Sequence, residues 1–589
     1  MGKKFNAYNN LDLSEVNKEQ LREWEKDKTF QRSMETRESN ETFVFYEGPP
    51  SANGVPGIHH VLSRTMKDIF CRYKTMQGYL VKRKAGWDTH GLPVEIGVEK
   101  KLGITKDDIG EKISVKAYNN TCREEVMQYK DVWEDLTQKM GFWLDLENAY
   151  ITYDNKYIES VWYLLKKFYE KGYLYKGYTI QPYSPAAGTG LSTHELNMPG
   201  CYKNVKDVSL VAQFKIQKDS KSAFLFRDTD SDVYFLAWTT TPWTLPSNTA
   251  LGVGRDILYV RVRTFNPYTH QPITVILAKD LLHKYFPEKH ADLDLEDYQA
   301  GDQKIPYKVW DEFPGSELEG IRYEQLMPYH QPNDGDAFKV VTGDFITTEE
   351  STVIVHITPS FGADDFKFSY EQGIGSLTLV DRHGKFVEGM EEFSGRYVKK
   401  DYDPNSKEKD PSVDVDIAVK LKKENKAFKI EKYEHAYPHC WRTDKPVLYY
   451  PLDSWFIKTT ANKDSLLEHN KTINWKPEST GTGRFGKWLE NLVDWNLSRD
   501  RYWGTPLPVW SSEDRQEQIC IGSVAELQRE IDKAVEAGFM SDNPVKDFKE
   551  ADFSKENYNS FDLHRPFVDD IVLVAPSGKK MFREKALID

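Results

Sequence analysis

Two textures of apolar patterning alternate along the chain. From residue 42 to about residue 198, short β-branched or aromatic runs alternate with segments whose apolar residues recur every three or four positions, as strands alternate with helices. The run TFVFY at 42–46 has the composition of a buried strand, and Gly48, Pro49 and Pro50 stop it and force a loop. Beyond the loop, Val61, Leu62, Met66, Ile69 and Phe70 keep helical spacing, which puts His59 and His60 at or near a helix N-terminus. An aromatic-rich helix is expected over 157–171, and a polar helix over 14–32, carrying Leu21 and Trp24, reads as a packing arm. This alternation predicts a doubly wound parallel sheet. Between about 203 and 432 the texture shifts to VSLVAQFKI, DVYFLAW, LYVRVRTF and PITVILA, separated by turn residues, which predicts an inserted β-rich domain. From 436 the first texture returns, and Ser523 with Glu526 forms a capping box for a helix carrying Val524, Leu527, Ile531 and Val535, closed by Gly538. The expected division is a helical arm at 1–41, the first half of an α/β domain at 42–202, an insert at 203–432, and the second half at 433–589 with its own insertion at 511–570.

Composition narrows the class. At 589 residues the chain exceeds a single core. With 39% hydrophobic and 29% charged residues it reads as a soluble globular protein, and no apolar run suits a membrane span. The N-terminus lacks the apolar core of a signal peptide, so a cytoplasmic location is expected, with no membrane partner. Five scattered cysteines, without a CxxC pair or zinc-ligand spacing, predict neither disulfides nor a metal site. A net charge of -13 argues against indiscriminate coating of nucleic acid, but leaves room for Lys and Arg grouped on one face.

A loop leading into a helix N-terminus is a receptor for phosphate, because unpaired amides and the helix dipole meet there. The string GPPSANGVPGIHH at 48–60 resembles the class I aminoacyl-tRNA synthetases, in which GPP, AxG and His-Ile-Gly-His follow in that order. Gly57 stands where the first family histidine is usual and His59 where the glycine is, so only His60 aligns with a signature histidine. GWDTHGLPVE at 86–95 resembles the isoleucine-specific branch of the family, and SRDRYWGTPLP at 498–508 matches the family as well. The resemblance implies a Rossmann-like doubly wound parallel sheet interrupted by an inserted β-rich editing domain. It implies that Gly48, Asn53, Gly54, Gly57 and His60 bind ATP, with His60 and His59 as the catalytic, charge-stabilising residues. It further implies that Pro49 lines the amino-acid pocket, Asp88 holds the α-ammonium group, and Trp455 and Trp503 wall the side chain, residues 498–503 facing the cleft. Taken one at a time and without the family, the histidines read as surface residues, Asp88 as a cap or turn residue, and each tryptophan as core.

Two motifs mark the insert: AWTTTPWTLPSNTAL at 237–251 and STVIVHITPSFGADDF at 351–366. Three successive threonines offer several hydroxyls in a small space, able to hold a ribose or a hydrolytic water. A strand at 353–357 and a turn at 362–365 bring His356 and Asp365 toward one end. By resemblance Thr239, Thr240, Thr241, Asn248 and His356 belong to an editing pocket around an aminoacyl ester, Asp365 binds the amino group, and Ser351 and Val353 replace usual glycines. Such a pocket answers a numerical limit: one missing methylene is worth only about 1–3 kcal/mol, isoleucine against valine being the standard illustration. The implied activity is ATP-dependent ligation of isoleucine to tRNA(Ile) through an adenylate, with hydrolysis of misacylated valyl-tRNA. ATP and Mg2+ are the implied cofactors, and a monomer is expected. The family's Lys-Met-Ser-Lys-Ser string is not found, and GKKMFREK at 578–585 reads as an exposed basic turn. The chain therefore reads as an N-terminal fragment that stops before that loop and the anticodon-binding domain. The competing reading is a hydrolase, an aminoacyl-tRNA deacylase on an incomplete scaffold.

Overall fold

The computed structural model describes residues 10–332, 334–343, 346, 353–407 and 409–588; Ser351, singled out above, lies outside them. The chain forms two compact units, Met1–Lys176 with Trp455–Asp589, and Gly177–Ser454. The fold is mixed α/β, with a β-rich insert between the two halves of the first unit.

In the first unit, strand Lys84–Trp87 pairs in parallel with Asp145–Ile151, and helices Ile58–Met76, Leu92–Leu102 and Asn155–Glu170 surround this pair in sequence. The expected strand at 42–46 is reduced to a bridge. Phe43 donates to Leu80 and Leu80 to Glu41, both at 2.9 Å, and beyond this the run finds no further edge among the described residues. Tyr46 is 91% exposed, so a β-forming composition alone did not make a strand. The helix after the loop forms, but its apolar residues face outward: Leu62, Met66, Ile69 and Phe70 are exposed, while Arg64, Cys71 and Thr75 are buried. Helical periodicity shows which residues share a face, not which face the protein covers.

The single helix expected over 14–32 is two, Leu13–Lys26 and Thr29–Glu35. Lys28 lies between them at φ 50, in the left-handed region where no helix continues. The arm packs by its aromatic residue: Trp24 meets Trp143 edge-on at 5.2 Å, and Arg72 lies over Trp24. The string at 578–585 is not an exposed turn. Only its start is; Lys580–Arg583 is a strand paired with Val509–Ser512 and Val572–Val574. Met581 and Arg583 alternate inward, and Arg583 is ion-paired with Asp569. Helix Val524–Glu536 starts as expected, with the Glu526 amide donating to Ser523 Oγ at 3.1 Å, and Gly538 follows it at φ 73.

The second unit is built on a nine-stranded sheet. Its backbone path runs Lys308–Pro314, Leu258–Phe265, Pro272–Ala278, Val233–Thr239, Val355–Ile357, Ala250–Val253 and Lys339–Thr342, and the long pair Tyr202–Lys215 and Ala427–Pro438 joins at Val233–Thr239. Along Val233–Thr239 the even and odd side chains enter different clusters: Val233, Phe235 and Ala237 one, Tyr234 and Leu236 the other. A strand covered on both faces reads as one continuous apolar run, which is what DVYFLAW is. No described helix is long and apolar enough to cross a membrane. All five cysteines are buried and unbridged, and the described residues hold no group of three or more His, Cys, Asp or Glu placed to bind a metal.

Candidate active sites

Residues 47–57 form a loop held in place from several sides. The Asp88 amide, directly after strand Lys84–Trp87, donates to the Pro50 carbonyl at 3.0 Å, and the Tyr129 amide to the Ala52 carbonyl at 3.0 Å. Trp133, from helix Lys130–Lys139, donates through Nε1 to the Gly54 carbonyl at 2.8 Å. With helix Ile58–Met76 the loop walls an open cavity of 410 Å³. Of the residues expected to hold ATP or the amino acid, Gly48, Pro49, Asn53, Gly54 and His60 line it. Gly57 and His59 do not. Asp88 is exposed beside the loop, tied to it through its amide.

His60 is the third residue of its helix. Its Nδ1 accepts the amide of Gly57, the cap residue, at 2.9 Å, so the neutral ring carries its proton on Nε2. Burial lowers its pKa, helped by His59 and Arg64. At neutral pH the ring is therefore an uncharged donor at a helix N-terminus, suited to a phosphate oxygen. Gly57 gives room to His59: a Cβ on Gly57 would lie 2.7 Å from His59 Cε1, so the His59 ring fills the space a side chain at 57 would take. The two imidazole centroids are 3.8 Å apart.

Sequence reasoning missed several residues of the cavity lining. Ser63, Arg64 and Lys67 follow His60 at three, four and seven positions, a helical-face signal that was there to read. Arg64 is buried, bonded to Thr137 Oγ1 and lying 5.2 Å over Trp133. Lys67 meets Glu47 at 3.5 Å. Glu47 is the one carboxylate in the described lining, and it already faces a lysine. The chain thus offers Mg2+ no ligand set of its own here; the donor chemistry fits an ion that arrives on the phosphates of its nucleotide.

The tryptophans stand apart from this cavity. Trp455 packs with Leu165, Leu174 and Leu497, its amide donating to Ser498 Oγ at 2.8 Å. Trp503 is fully buried, stacked on His564 at 4.7 Å, and donates through Nε1 to the carbonyl of Thr89, the neighbour of Asp88. The segment at 498–503 is buried at Ser498, Arg501 and Trp503 rather than laid open to the cavity. Its anchor is Glu95, whose Oε1 accepts the amides of Tyr502 and Trp503 at 2.7 and 2.8 Å. Burial raises the Glu95 pKa against the pull of Arg501 and Lys106.

In the second unit the threonine turn and the His356 strand meet. Thr239 Oγ1 and Thr241 Oγ1 are 3.3 Å apart, as are Thr241 Oγ1 and Thr244 Oγ1, and Thr240 is half-buried between the first two in sequence. Asn248 fixes the ring of His356. Its Nδ2 donates to the Ala250 carbonyl at 2.8 Å and the Ile357 carbonyl at 3.3 Å, which sets the amide's orientation. The same nitrogen lies 2.8 Å from His356 Nδ1, to which it can only donate, its two hydrogens being shared among three acceptors, while Asn248 Oδ1 accepts from Tyr323. His356 consequently carries its proton on Nε2, within 2.9 Å of Thr358 Oγ1 and 3.1 Å of Thr244 Oγ1. Thr358 also donates its amide to Asp365 Oδ2 at 2.8 Å, so one threonine joins the histidine to the aspartate. Asp414, from helix Val413–Lys423, accepts the Trp243 amide at 2.9 Å and holds the turn that carries Thr244. Val353 sits at φ 57, a conformation that costs a β-branched residue about 1–3 kcal/mol.

Burial pushes the His356 pKa down to about 3. A histidine depressed in this way is neutral when folded and takes up a proton on unfolding below its ordinary pKa, so stability is lost as pH falls from 6.5 toward 3. Between pH 7 and pH 5 the loss from this residue should be about 2 kcal/mol. Urea unfolding of this unit in wild type and His356→Gln isolates the term; equal pH slopes in both would refute it.

The profile of the tRNA synthetases class I (I, L, M and V) matches residues 19–563, and the chain belongs to that family. It is 59% identical to the isoleucine–tRNA ligase of Bacteroides fragilis over 617 residues, covering 100% of this chain and 54% of that protein. It is 61% identical to the Cytophaga hutchinsonii isoleucine–tRNA ligase over 598 residues, 98% of this chain and 52% of that one. With the Clostridium novyi isoleucine–tRNA ligase the identity is 41% over 587 residues, 99% and 50% of the two chains. The chain spans about half the length of these curated relatives.

Proposed function

We propose that the first unit carries the amino-acid activation site of an isoleucine–tRNA ligase and the second unit its proofreading site. One observation supports the activation site above the others: the Asp88 amide is bonded to Pro50, which holds residue 88 beside the loop that walls the cavity. A carboxylate there grips the α-ammonium group while the substrate's own carboxylate attacks the α-phosphate of ATP and displaces pyrophosphate, leaving the aminoacyl-adenylate. No side chain serves as nucleophile. The chain aligns the reactants and stabilises phosphate charge, through the His60 Nε2–H, the helix N-terminus and the cations Arg64 and Lys67. Mg2+, when bound with ATP, adds charge neutralisation. A terminal ribose hydroxyl of tRNA(Ile) then attacks the adenylate's carbonyl, forming the ester and releasing AMP.

At the second site Thr244 and Thr358 flank a neutral His356, and Thr241 and Thr239 continue the chain of hydroxyls from Thr244. The hydroxyls hold the ester and position water, and Asp365, fixed by the Thr358 amide, takes the amino group of the misattached valine. Tyr323, Asn248 and Asp414 keep the frame in place. The deacylase reading rests on this network alone and makes a separate prediction.

Calorimetric titration with a non-hydrolysable isoleucyl-adenylate analogue tests the first site. Binding at micromolar or tighter affinity, abolished by Asp88→Ala, is the expected result; no binding by the wild type would refute it. Release of valine from valyl-tRNA, with or without adenylate binding, reports the second site.

A further inference from the structure

Near Asp88 lie two tyrosines that the reading above does not use. In the parallel register of Lys84–Trp87 with Asp145–Ile151, Tyr150 falls opposite Gly86, two residues before Asp88. The ring lies directly against the glycine: a Cβ on Gly86 would stand 2.3, 2.4 and 2.8 Å from three Tyr150 ring atoms. Tyr157, in the first turn of helix Asn155–Glu170, is stacked on Tyr150, the planes 5° apart and the centroids separated by 5.8 Å. Both rings are half-buried.

We propose that the stacked Tyr150–Tyr157 pair is the aromatic half of an ammonium-recognition site whose anionic half is Asp88, with Gly86 present to admit the Tyr150 ring. This rests on the activation reading and deepens it. An exposed carboxylate in water holds a cation weakly, because both partners stay hydrated. Aromatic faces beside it add the attraction of their quadrupoles and exclude water on one side, which favours an ammonium over a neutral group of the same shape. The electrostatics agree with this placement. After burial, Asp88 raises the pKa of Tyr157, while Tyr157, Glu47 and then Asp88 raise that of Tyr150. The phenols accordingly stay protonated and uncharged, adding no anion of their own beside the ligand.

Two ligands separate recognition from packing: the isoleucyl-adenylate analogue, and its counterpart with the α-ammonium replaced by hydroxyl. Tyr157→Leu and Gly86→Ala should each weaken the ammonium ligand about tenfold and the hydroxyl ligand less than about twofold, and Tyr157→Phe should bind both within about twofold of wild type. Gly86→Ala displaces the ring without removing it, so the test survives if Tyr157→Leu fails to fold. Equal weakening of both ligands, or no weakening of the ammonium ligand, overturns the proposal. A wild type that binds neither ligand overturns the activation reading itself.

Discussion

Trp133→Ala should destabilise the first unit by about 3–5 kcal/mol and remove nucleotide binding with it. The indole is buried with Ala52 and Trp87, its Nε1 holds the Gly54 carbonyl, His60 meets its ring edge at 4.8 Å, and Arg64 lies over its face. A smaller residue leaves a cavity under the loop and releases Gly54, His60 and Arg64, three of the groups that line the cavity. Trp133→Phe separates the two effects. It keeps most of the ring and loses only the bond to Gly54, so stability should fall by about 1–2 kcal/mol while ATP affinity drops and affinity for isoleucine stays. Denaturant unfolding followed by separate titrations with each ligand reads both quantities. Equal loss of affinity for the two ligands would show that the tryptophan supports the unit generally and not the nucleotide loop.

The second large effect is expected at Asn248. Its amide serves two backbone carbonyls, His356 and Tyr323 from a position only 2% exposed. Asn248→Ala leaves several buried groups without partners and should cost about 3 kcal/mol. It also frees the His356 ring to turn or change tautomer, so release of valine from valyl-tRNA should fall by tenfold or more, about what one lost hydrogen bond in a transition state is worth. Asn248→Asp is the sharper test because it preserves shape. A carboxylate in that place faces two carbonyl oxygens and cannot donate to Nδ1, so it should be at least as harmful as alanine. Near-wild-type stability and deacylation in Asn248→Asp would overturn the tautomer assignment.

Local patterning made much of the architecture readable. LYVRVRTF and PITVILA coincide with strands Leu258–Phe265 and Pro272–Ala278, because β-branched runs bounded by turn residues have few other options. The helix over 155–170 and the Ser523 cap were equally legible, since capping chemistry is written within four residues. What failed had a common cause: the deciding partner lies far away in sequence. The run at 42–46 lacked an edge, and the string at 578–585 gained strands 509–512 and 572–574 as neighbours. The sites divide in the same way. His60 and the glycine loop, or the threonines with His356 and Asp365, sit in short motifs whose chemistry is local. Trp133, Tyr323 and Asp414 reach these sites from other segments, and nothing in their own surroundings in sequence announces it; Glu95 closes the motif at 86–95, but its partners Tyr502 and Trp503 lie far along the chain. Trp455 and Trp503, which the resemblance assigns to the amino-acid pocket, are both buried, as each reads when taken alone.

The first unit is interrupted and the second is not, and this orders the events of folding. During synthesis from the N-terminus, Gly177–Ser454 is made before the second half of its host, so the insert can complete itself while that host is still open. The host meanwhile holds donors and acceptors for residues not yet made: Glu95 awaits the amides of Tyr502 and Trp503, and Asn155 awaits Phe561. Until those arrive these groups remain hydrated, and the closure that finally desolvates them joins segments about four hundred positions apart, a late and entropically slow step.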